Sequence, residues 1–376
     1  MQRGPDGRLM SQFDDLRPSA PTSAPVLANE APLIFGFSVG AIMKVQPDRA
    51  RQFCTNVLLA LDTPESTART ISSHLVEADM KNVRSHGMIR LVRYAEQIES
   101  GYIDNKAPID IRQVAPGMLH VDANRNWGIV ALDAMVPELE KVARENGVAA
   151  GALVNCAHTG RIGAFSEALA RRFMWGMVFG GGANRHLHEV APHGGAKGVF
   201  DTNPYAFSLP MTKDSMASAD FATAATAQGK VLVYRTNQKP LPAGWIIDKT
   251  GKPSVNPEDL YDGGALLTSG EQKGSAMALI AELFGEAVLG TPHELNWFVI
   301  AVDLSRFTDQ SAYFSQALSL QTKIEDCPPA AGVDKVRWPG QPEVESEATA
   351  SSDGIEYSSL ELDRLVTLGS RLNIVL

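Results

Sequence analysis

Two common fingerprints are missing from this chain of 376 residues: it holds neither a Gly-x-Gly-x-x-Gly strand-turn-helix signature nor a Gly-x4-Gly-Lys-Ser/Thr loop. Ordinary Rossmann and P-loop units are therefore disfavoured. Cysteine is scarce as well. Cys54, Cys156 and Cys327 are odd in number and too far apart for a Cys-x-x-Cys metal or redox motif, so a reduced, cytoplasmic setting is the default. Basic residues are outnumbered, 34 against 43 acidic ones, for a formal charge of −9. No face-sized cationic excess is left to neutralise phosphates, which excludes a nucleic-acid backbone as the natural partner. The apolar patch at 31–43 is too short to span a bilayer and lies too far behind the first residue for a signal peptide, so no membrane partner is expected.

With 44% apolar residues the chain can bury one large core or two to three domain-sized units. Its most informative stretch is His158-Thr159-Gly160-Arg161-Ile162-Gly163, which follows an apolar, strand-like run at 148–154. Glycines at a strand exit let backbone and side chains approach a small ligand. An imidazole beside a guanidinium suits proton transfer to or from an anion. A second cluster lies upstream, Ser85-His86-Gly87-Met88-Ile89-Arg90, where His86 and Arg90 are four apart and would share one face of a helix. Cys156 sits two residues before His158 and reads as a small buried thiol rather than a nucleophile.

The first 43 residues differ from the rest: a Pro-, Ser- and Ala-rich segment precedes the apolar patch. They read as a disordered extension or a misassigned start, with Met43 as the candidate true start. Beyond them Thr63-Pro64 supplies an N-cap and first-turn proline for a helix through Met80, with Ile71, Leu75 and Val76 as its apolar stripe. A helix over 89–100 turns Leu91, Tyr94 and Ile98 inward and stops at Gly101. Strands are expected at 109–114 and 118–122, then a helix over 129–146 kinked by Pro137 and closed by Gly147. Strand 148–154, the glycine-rich turn, helix 164–173 and strand 174–180 complete a β-turn-α-β passage of an α/β fold. A continuous apolar helix is expected over 274–289, and the acidic run 343–347 reads as a solvated face.

His186, His188 and His193 form a His-x-His-x4-His group that raises a metal-dependent hydrolase, against the plainer reading of a polar loop rimming a site. No cysteine or well-spaced carboxylate joins them, so no metal is expected. Asp220-Phe221-Ala222-Thr223 and Gln272-Lys273-Gly274 are polar groups flanked by small residues. A lysine at a helix entrance such as Lys273 can bind phosphate or carboxylate, although alone it reads as solvent-facing.

Together these residues resemble the malate/L-lactate dehydrogenase family, which includes ureidoglycolate and sulfolactate dehydrogenases. The resemblance runs from about Val45 to Leu376. It rests on Ser85 to Arg90, His158-Thr159-Gly160, Val190-Ala191-Pro192-His193-Gly194-Gly195, Thr202-Asn203-Pro204, Asp220 to Thr223, Lys273-Gly274 and Pro339-Gly340. The run 158–163, with Leu266-Leu267-Thr268, is most similar to the hydroxycarboxylate dehydrogenase B branch.

The resemblance implies a sulfolactate dehydrogenase-like α/β fold in which a mixed-sheet, non-Rossmann nicotinamide-binding domain (148–299) joins a helix-rich substrate and dimerisation domain (44–147 with 300–376). It also implies a homodimer using NAD, with NADP possible, and a small 2-oxo or 2-hydroxy carboxylate as substrate. His158 would then be the acid/base residue and His86 a second one; Ser85, Arg90, Thr202 and Asn203 would bind substrate, and Asp220, Phe221, Ala222, Lys273 and Gly340 would contact cofactor. A cyclic imine carboxylate reductase and a catalytically silent binding paralogue are the alternatives. Ala224, where many relatives have serine, and the stretch 184–188 depart from the family pattern and bear on cofactor and substrate choice.

Overall fold

The computed structural model describes residues 42–182, 189–236 and 238–376. It begins with β1 (Ile42–Val45), α1 (Pro47–Ala60), α2 (Glu65–Met80) and α3 (Arg90–Glu99). Met43, placed in an N-terminal extension on sequence grounds, instead pairs within β1 against Tyr357. The stripe on α2 is as expected, with Ile71, Leu75 and Val76 fully buried. Thr63 does not cap α2, because Pro64 holds the cap position and the Thr63 hydroxyl accepts a hydrogen bond from Asn105 at 3.0 Å.

The chain continues through β2 (Asp110–Ala115), β3 (Met118–Asp122), α4 (Gly128–Asn146), β4 (Val148–Val154), α5 (Gly163–Ala170) and β5 (Met174–Gly181). Helix α4 runs on through Pro137, whose side is exposed, so the carbonyl it cannot satisfy faces water. Then follow β6 (Tyr205–Pro210), β7 (Met216–Phe221), α6 (Gln228–Thr236), β8 (Ile246–Ile247), β9 (Pro253–Ser254), α7 (Glu258–Tyr261), β10 (Ala265–Leu266) and α8 (Gln272–Glu282). The expected single helix over 274–289 changes winding at Leu283–Val288, a π-helical turn. Asn296 donates to the carbonyls of Gly285 and Gly290 there, an alternative partner that loosens the regular ladder. The last elements are β11 (Asn296–Asp303), α9 (Gln310–Glu325), α10 (Gln341–Asp353), β12 (Ile355–Ser358) and α11 (Ser359–Arg371).

A seven-stranded sheet, ordered β2-β3-β4-β11-β5-β6-β7, organises the fold. Only β3 and β4 pair in parallel, joined by α4, and every other neighbour is antiparallel. Strands from both sides of position 147 meet in this sheet, so the boundary expected at 147/148 cuts a continuous hydrogen-bonded ladder. A separate helical core gathers α1, α2, α3, α10 and α11 around Phe53, Leu58, Ile71, Leu75, Leu91 and Leu365. Burying each such side chain contributes roughly 1.5–3 kcal/mol.

The alternation of directions has a functional consequence. Strands β3, β4, β5 and β7 run the same way, so their carboxyl ends share one sheet edge with the amino ends of β6 and β11. Ligands of α/β proteins favour such edges. Residues 158–163, 202–203 and 220–223 all leave or enter the sheet there.

Candidate functional site

The turn 158–163 links the carboxyl end of β4 to α5. Within it the His158 Nδ1 lies 2.7 Å from the Tyr94 hydroxyl, in hydrogen-bond contact, and accepts the Gly160 backbone N–H at 3.2 Å. Tyr94 is buried on α3, its ring 5.8 Å from that of Trp127. The His86 ring stacks on His158 with centroids 5.6 Å apart and planes 17° from parallel. Residues far apart in sequence thus form one imidazole pair.

His86 and Arg90 do not share a helical face as expected. His86 ends a 3-10 turn, Arg84–His86, whereas Arg90 opens α3. They are brought together through Ser85: its hydroxyl meets His86 Nδ1 at 2.9 Å, and its carbonyl accepts from Arg90 Nε at 2.5 Å. Asp79 on α2 anchors the turn from beneath, accepting from the Met88 N–H and the Tyr357 hydroxyl, each at 2.7 Å. A Cβ at Gly87 would lie 1.8 Å from the Asp79 carboxylate, so only glycine fits between them.

The electrostatics keep both imidazoles neutral at pH 7. Burial, followed by the charges of Arg90 and Arg161, pushes His86 down to about 4. Burial is also the main cause at His158, with Arg90, His86, Arg93 and His74 adding to it, and the ring lies well below the ordinary histidine value. Burial lowers even Arg90 from its ordinary value. Cys156 is buried, its Sγ donating to the Leu295 carbonyl at 3.4 Å, and burial raises its thiol well above the usual range. That is a structural thiol, as the sequence reading has it.

On the neighbouring part of the edge, Asp220 accepts the Gly163 N–H at 2.8 Å, which ties β7 to the end of the histidine turn. Phe221 is 42% exposed. Thr223 holds the entrance of α8 by accepting the Ser269 N–H at 2.7 Å, and exposed Lys273 lies in the first turn of that helix. Gly340 packs against Met216 and Ser218 at the start of β7, away from Phe221 and Ala222. Thr202 and Asn203 are drawn elsewhere: the Thr202 carbonyl accepts from Thr223, and fully buried Asn203 donates from Nδ2 to Glu282 at 3.0 Å. The His193 backbone N–H donates to the Ser275 hydroxyl at 3.1 Å, while His186 and His188 lie outside the described residues. Among the described residues no group of three His, Cys, Asp or Glu is placed to hold a metal, and no helix is long and apolar enough to cross a membrane.

The family model for malate/L-lactate dehydrogenase matches residues 45–366. The chain belongs to this family. It is 30% identical over 243 residues to delta(1)-pyrroline-2-carboxylate reductase 2 of Burkholderia multivorans, spanning 65% of this chain and 70% of that protein. It is 28% identical over 329 residues to an NAD(+) ureidoglycolate dehydrogenase of Escherichia coli O157:H7, spanning 84% and 92%. The solved sulfolactate dehydrogenase of Methanocaldococcus jannaschii superposes with a TM-score of 0.79 at 26% identity, covering 88% of this chain and 98% of that one. The sulfolactate dehydrogenase-like α/β fold expected from the sequence is thus the fold observed, and the named relatives are dehydrogenases and reductases.

In this member of the malate/L-lactate dehydrogenase family, the Arg161 guanidinium is committed to carboxylates. It grips Glu167 at 2.8 and 2.9 Å and reaches Glu77 at 3.3 Å. Burial opposes its charge, but the Glu167 hydrogen bonds and the two carboxylates outweigh that and hold it above its ordinary value. Lys81 joins the network at 3.5 Å from Glu167 and 2.9 Å from Glu347. The acidic run 343–347 is consequently no plain solvated face, since Glu345 also pairs with Lys335 at 2.6 Å.

Three residues of the site escaped sequence reasoning: Tyr94, Asp79 and His74. Tyr94 reads as one more residue of an apolar stripe, although its i,i+4 spacing from Arg90 carries a usable signal. His74, whose Nε2 accepts the Arg161 N–H at 2.9 Å, has no signal in its local sequence.

Proposed function

We propose that the protein transfers a hydride between a nicotinamide cofactor, NAD or NADP, and a small 2-hydroxy or 2-oxo acid, with His158 exchanging the proton of the substrate hydroxyl. The observation that carries this reading is the convergence of His86, Arg90 and His158 at one sheet edge. Arg90 offers a guanidinium for a carboxylate, with Ser85 holding its Nε side. Fixing the carboxylate fixes the adjacent carbonyl carbon and oxygen. His86, stacked on His158, shields the proton-transfer ring from one side and serves as a second exchange group.

The neighbouring part of the edge suits a nicotinamide cofactor. An exposed aromatic ring (Phe221), a carboxylate (Asp220), the small Ala222 and an ammonium at a helix entrance (Lys273) offer contacts for a ring, ribose hydroxyls and phosphate. By the family resemblance this reading gives Gly340 a contact with cofactor and Thr202 and Asn203 a contact with substrate. When bound, the cofactor supplies or takes the hydride.

A second copy of the chain also fits. Helix α9 has 16 residues and none of them is buried, with Leu318 and Leu320 more than half exposed. Although Tyr313 and Phe314 pack against Phe173, the exposed leucines of this helix support the homodimer.

One other substrate class is favoured by an observation, the 30% identity to a pyrroline-2-carboxylate reductase. A cyclic imine carboxylate presents the same carboxylate to Arg90 and needs its proton on nitrogen. The test is a panel of 2-oxo acids and cyclic imine carboxylates with NADH or NADPH, followed at the reduced-nicotinamide absorbance. Consumption with one class, lost in His158→Ala while cofactor binding persists, supports the reading. No consumption with any pair, together with no cofactor binding, would sink it.

A further inference from the structure

The two hydrogen bonds on His158 Nδ1 determine where the ring carries its proton. A backbone N–H can only donate, so the 3.2 Å contact from Gly160 requires a lone pair at Nδ1. The neutral ring therefore holds its proton on Nε2, and the Tyr94 hydroxyl, at 2.7 Å, donates as well. A ring in that state has an Nε2–H to offer but no lone pair at Nε2 to receive one.

Gly160 cannot change its role, whereas a phenol can. A hydroxyl rotates and is equally an acceptor. We propose that Tyr94 is the positioning residue of His158, its hydroxyl donating to Nδ1 while the ring rests neutral and accepting from Nδ1–H once that nitrogen is protonated, so that Nε2 always faces substrate.

This rests on His158 being the proton-transfer group. In the reducing direction the resting Nε2–H ring takes a proton from water at Nδ1, the Tyr94 hydroxyl rotating to accept it, and the charged ring then gives its Nε2 proton to the carbonyl oxygen. The N–H bond breaks, an O–H bond forms, the substrate carbon gains the hydride, and the ring is left neutral with Nδ1–H still on the Tyr94 oxygen. In the oxidising direction that same tautomer has the free Nε2 lone pair that takes the hydroxyl proton. Tyr94 itself never ionises; burial, the main cause, holds its phenol above the ordinary tyrosine value.

The packing is consistent with a dedicated hydroxyl. Tyr94 is 1% exposed and lies between the Trp127 and His158 rings, each 5.8 Å away. The other titratable groups facing His158 are the charged Arg90 and Arg93 from α3 and the neutral His86 from the 3-10 turn and His74 from α2, with Glu294 beside Arg90 and Tyr94. The hydrogen bonds at Nδ1 come instead from Tyr94 and Gly160.

The experiment is Tyr94→Phe, read by 15N NMR titration of the histidine rings with His158→Gln assigning the signal. Loss of a charge-assisted acceptor outweighs loss of a neutral donor, so the His158 midpoint should fall by about one pH unit, roughly a tenfold drop in charged ring at a given pH. Turnover should fall about tenfold while KM for the acid, set at Arg90, changes little. A folded Tyr94→Phe protein whose His158 midpoint stays or rises overturns the proposal. If that variant fails to fold, fluorotyrosine at position 94 decides: a stronger donor and weaker acceptor of the same shape must also lower the midpoint. The titration needs no substrate, so a lowered midpoint without turnover on any acid would leave this proposal standing and defeat the function it rests on.

Discussion

Gly160→Ala tests whether the histidine turn is held by a specific steric lock. Gly160 has φ +70°, and a Cβ there would lie 2.1 Å from His74 Nε2 and 2.6 Å from its Cδ2. His74 cannot yield freely, because it is buried, stacks on Phe165 at 5.3 Å and accepts the Arg161 N–H. The left-handed backbone costs an alanine about 1–2 kcal/mol, overpacking about 1–3 kcal/mol, and an orphaned Arg161 N–H about 1–3 kcal/mol. The total is on the order of 5 kcal/mol, or a melting shift on the order of 10 °C at about 2–4 °C per kcal/mol for a large domain. Gly101 supplies the control, since it has the same φ of +70° and a Cβ there would meet nothing within 4 Å. Gly101→Ala should cost only the backbone part, about 1–2 kcal/mol. Thermal unfolding of both variants, and of His74→Ala combined with Gly160→Ala, reads the difference. Equal losses at the two glycines, or no recovery when His74 is truncated, would refute the lock.

Two further outcomes follow from the same region. Glu167→Gln leaves the buried Arg161 and Lys81 without their shared carboxylate and should cost about 3–5 kcal/mol in chemical denaturation, whereas Arg161→Met with Glu167→Leu should recover most of it; a neutral Glu167→Gln would show the network to be ornamental. Burial, with Arg161 next, lowers His74 from 6.5 to about 3 in the folded chain, so the unfolded chain takes up this proton first as pH falls. Its contribution is therefore complete above pH 6.5 and lost as pH drops toward 3; between pH 6.5 and 5 the wild type should lose about 1.5–2 kcal/mol more than His74→Gln does. Parallel stability curves for the two would contradict that sign.

Much of the fold was legible because periodicity and punctuation agree. Gly101 and Gly147 stop α3 and α4 in the left-handed conformation, and β4 spans the residues expected of it. What escaped was tertiary. The partner of β4 and β5 is β11, some 150 residues from the one and 120 from the other along the chain, and no local pattern encodes that pairing. The site divides in the same way. His86, Arg90 and His158 stand out because imidazole and guanidinium among glycines are unusual company. Tyr94 and His74 do not, because a buried aromatic on an apolar stripe looks identical whether it packs or donates a hydrogen bond. The arginine of the hexapeptide was the misleading residue: beside a histidine it suggests chemistry, and in space it belongs to a buried ion pair.

That ion pair explains why the turn can be rich in glycine yet well defined. Each anchor comes from a different element: Tyr94 of α3 holds His158, His74 of α2 holds the Arg161 amide, Glu167 of α5 holds its guanidinium, and Asp220 of β7 holds Gly163. Glycine lets the backbone reach these partners, and the partners remove the freedom glycine brings. The proposed proton-transfer role requires a ring held within a few tenths of an ångström of its productive position, and four fixed points on one short turn restrain it. The arrangement also couples the two halves of the edge, because Asp220 adjoins the residues that suit a cofactor.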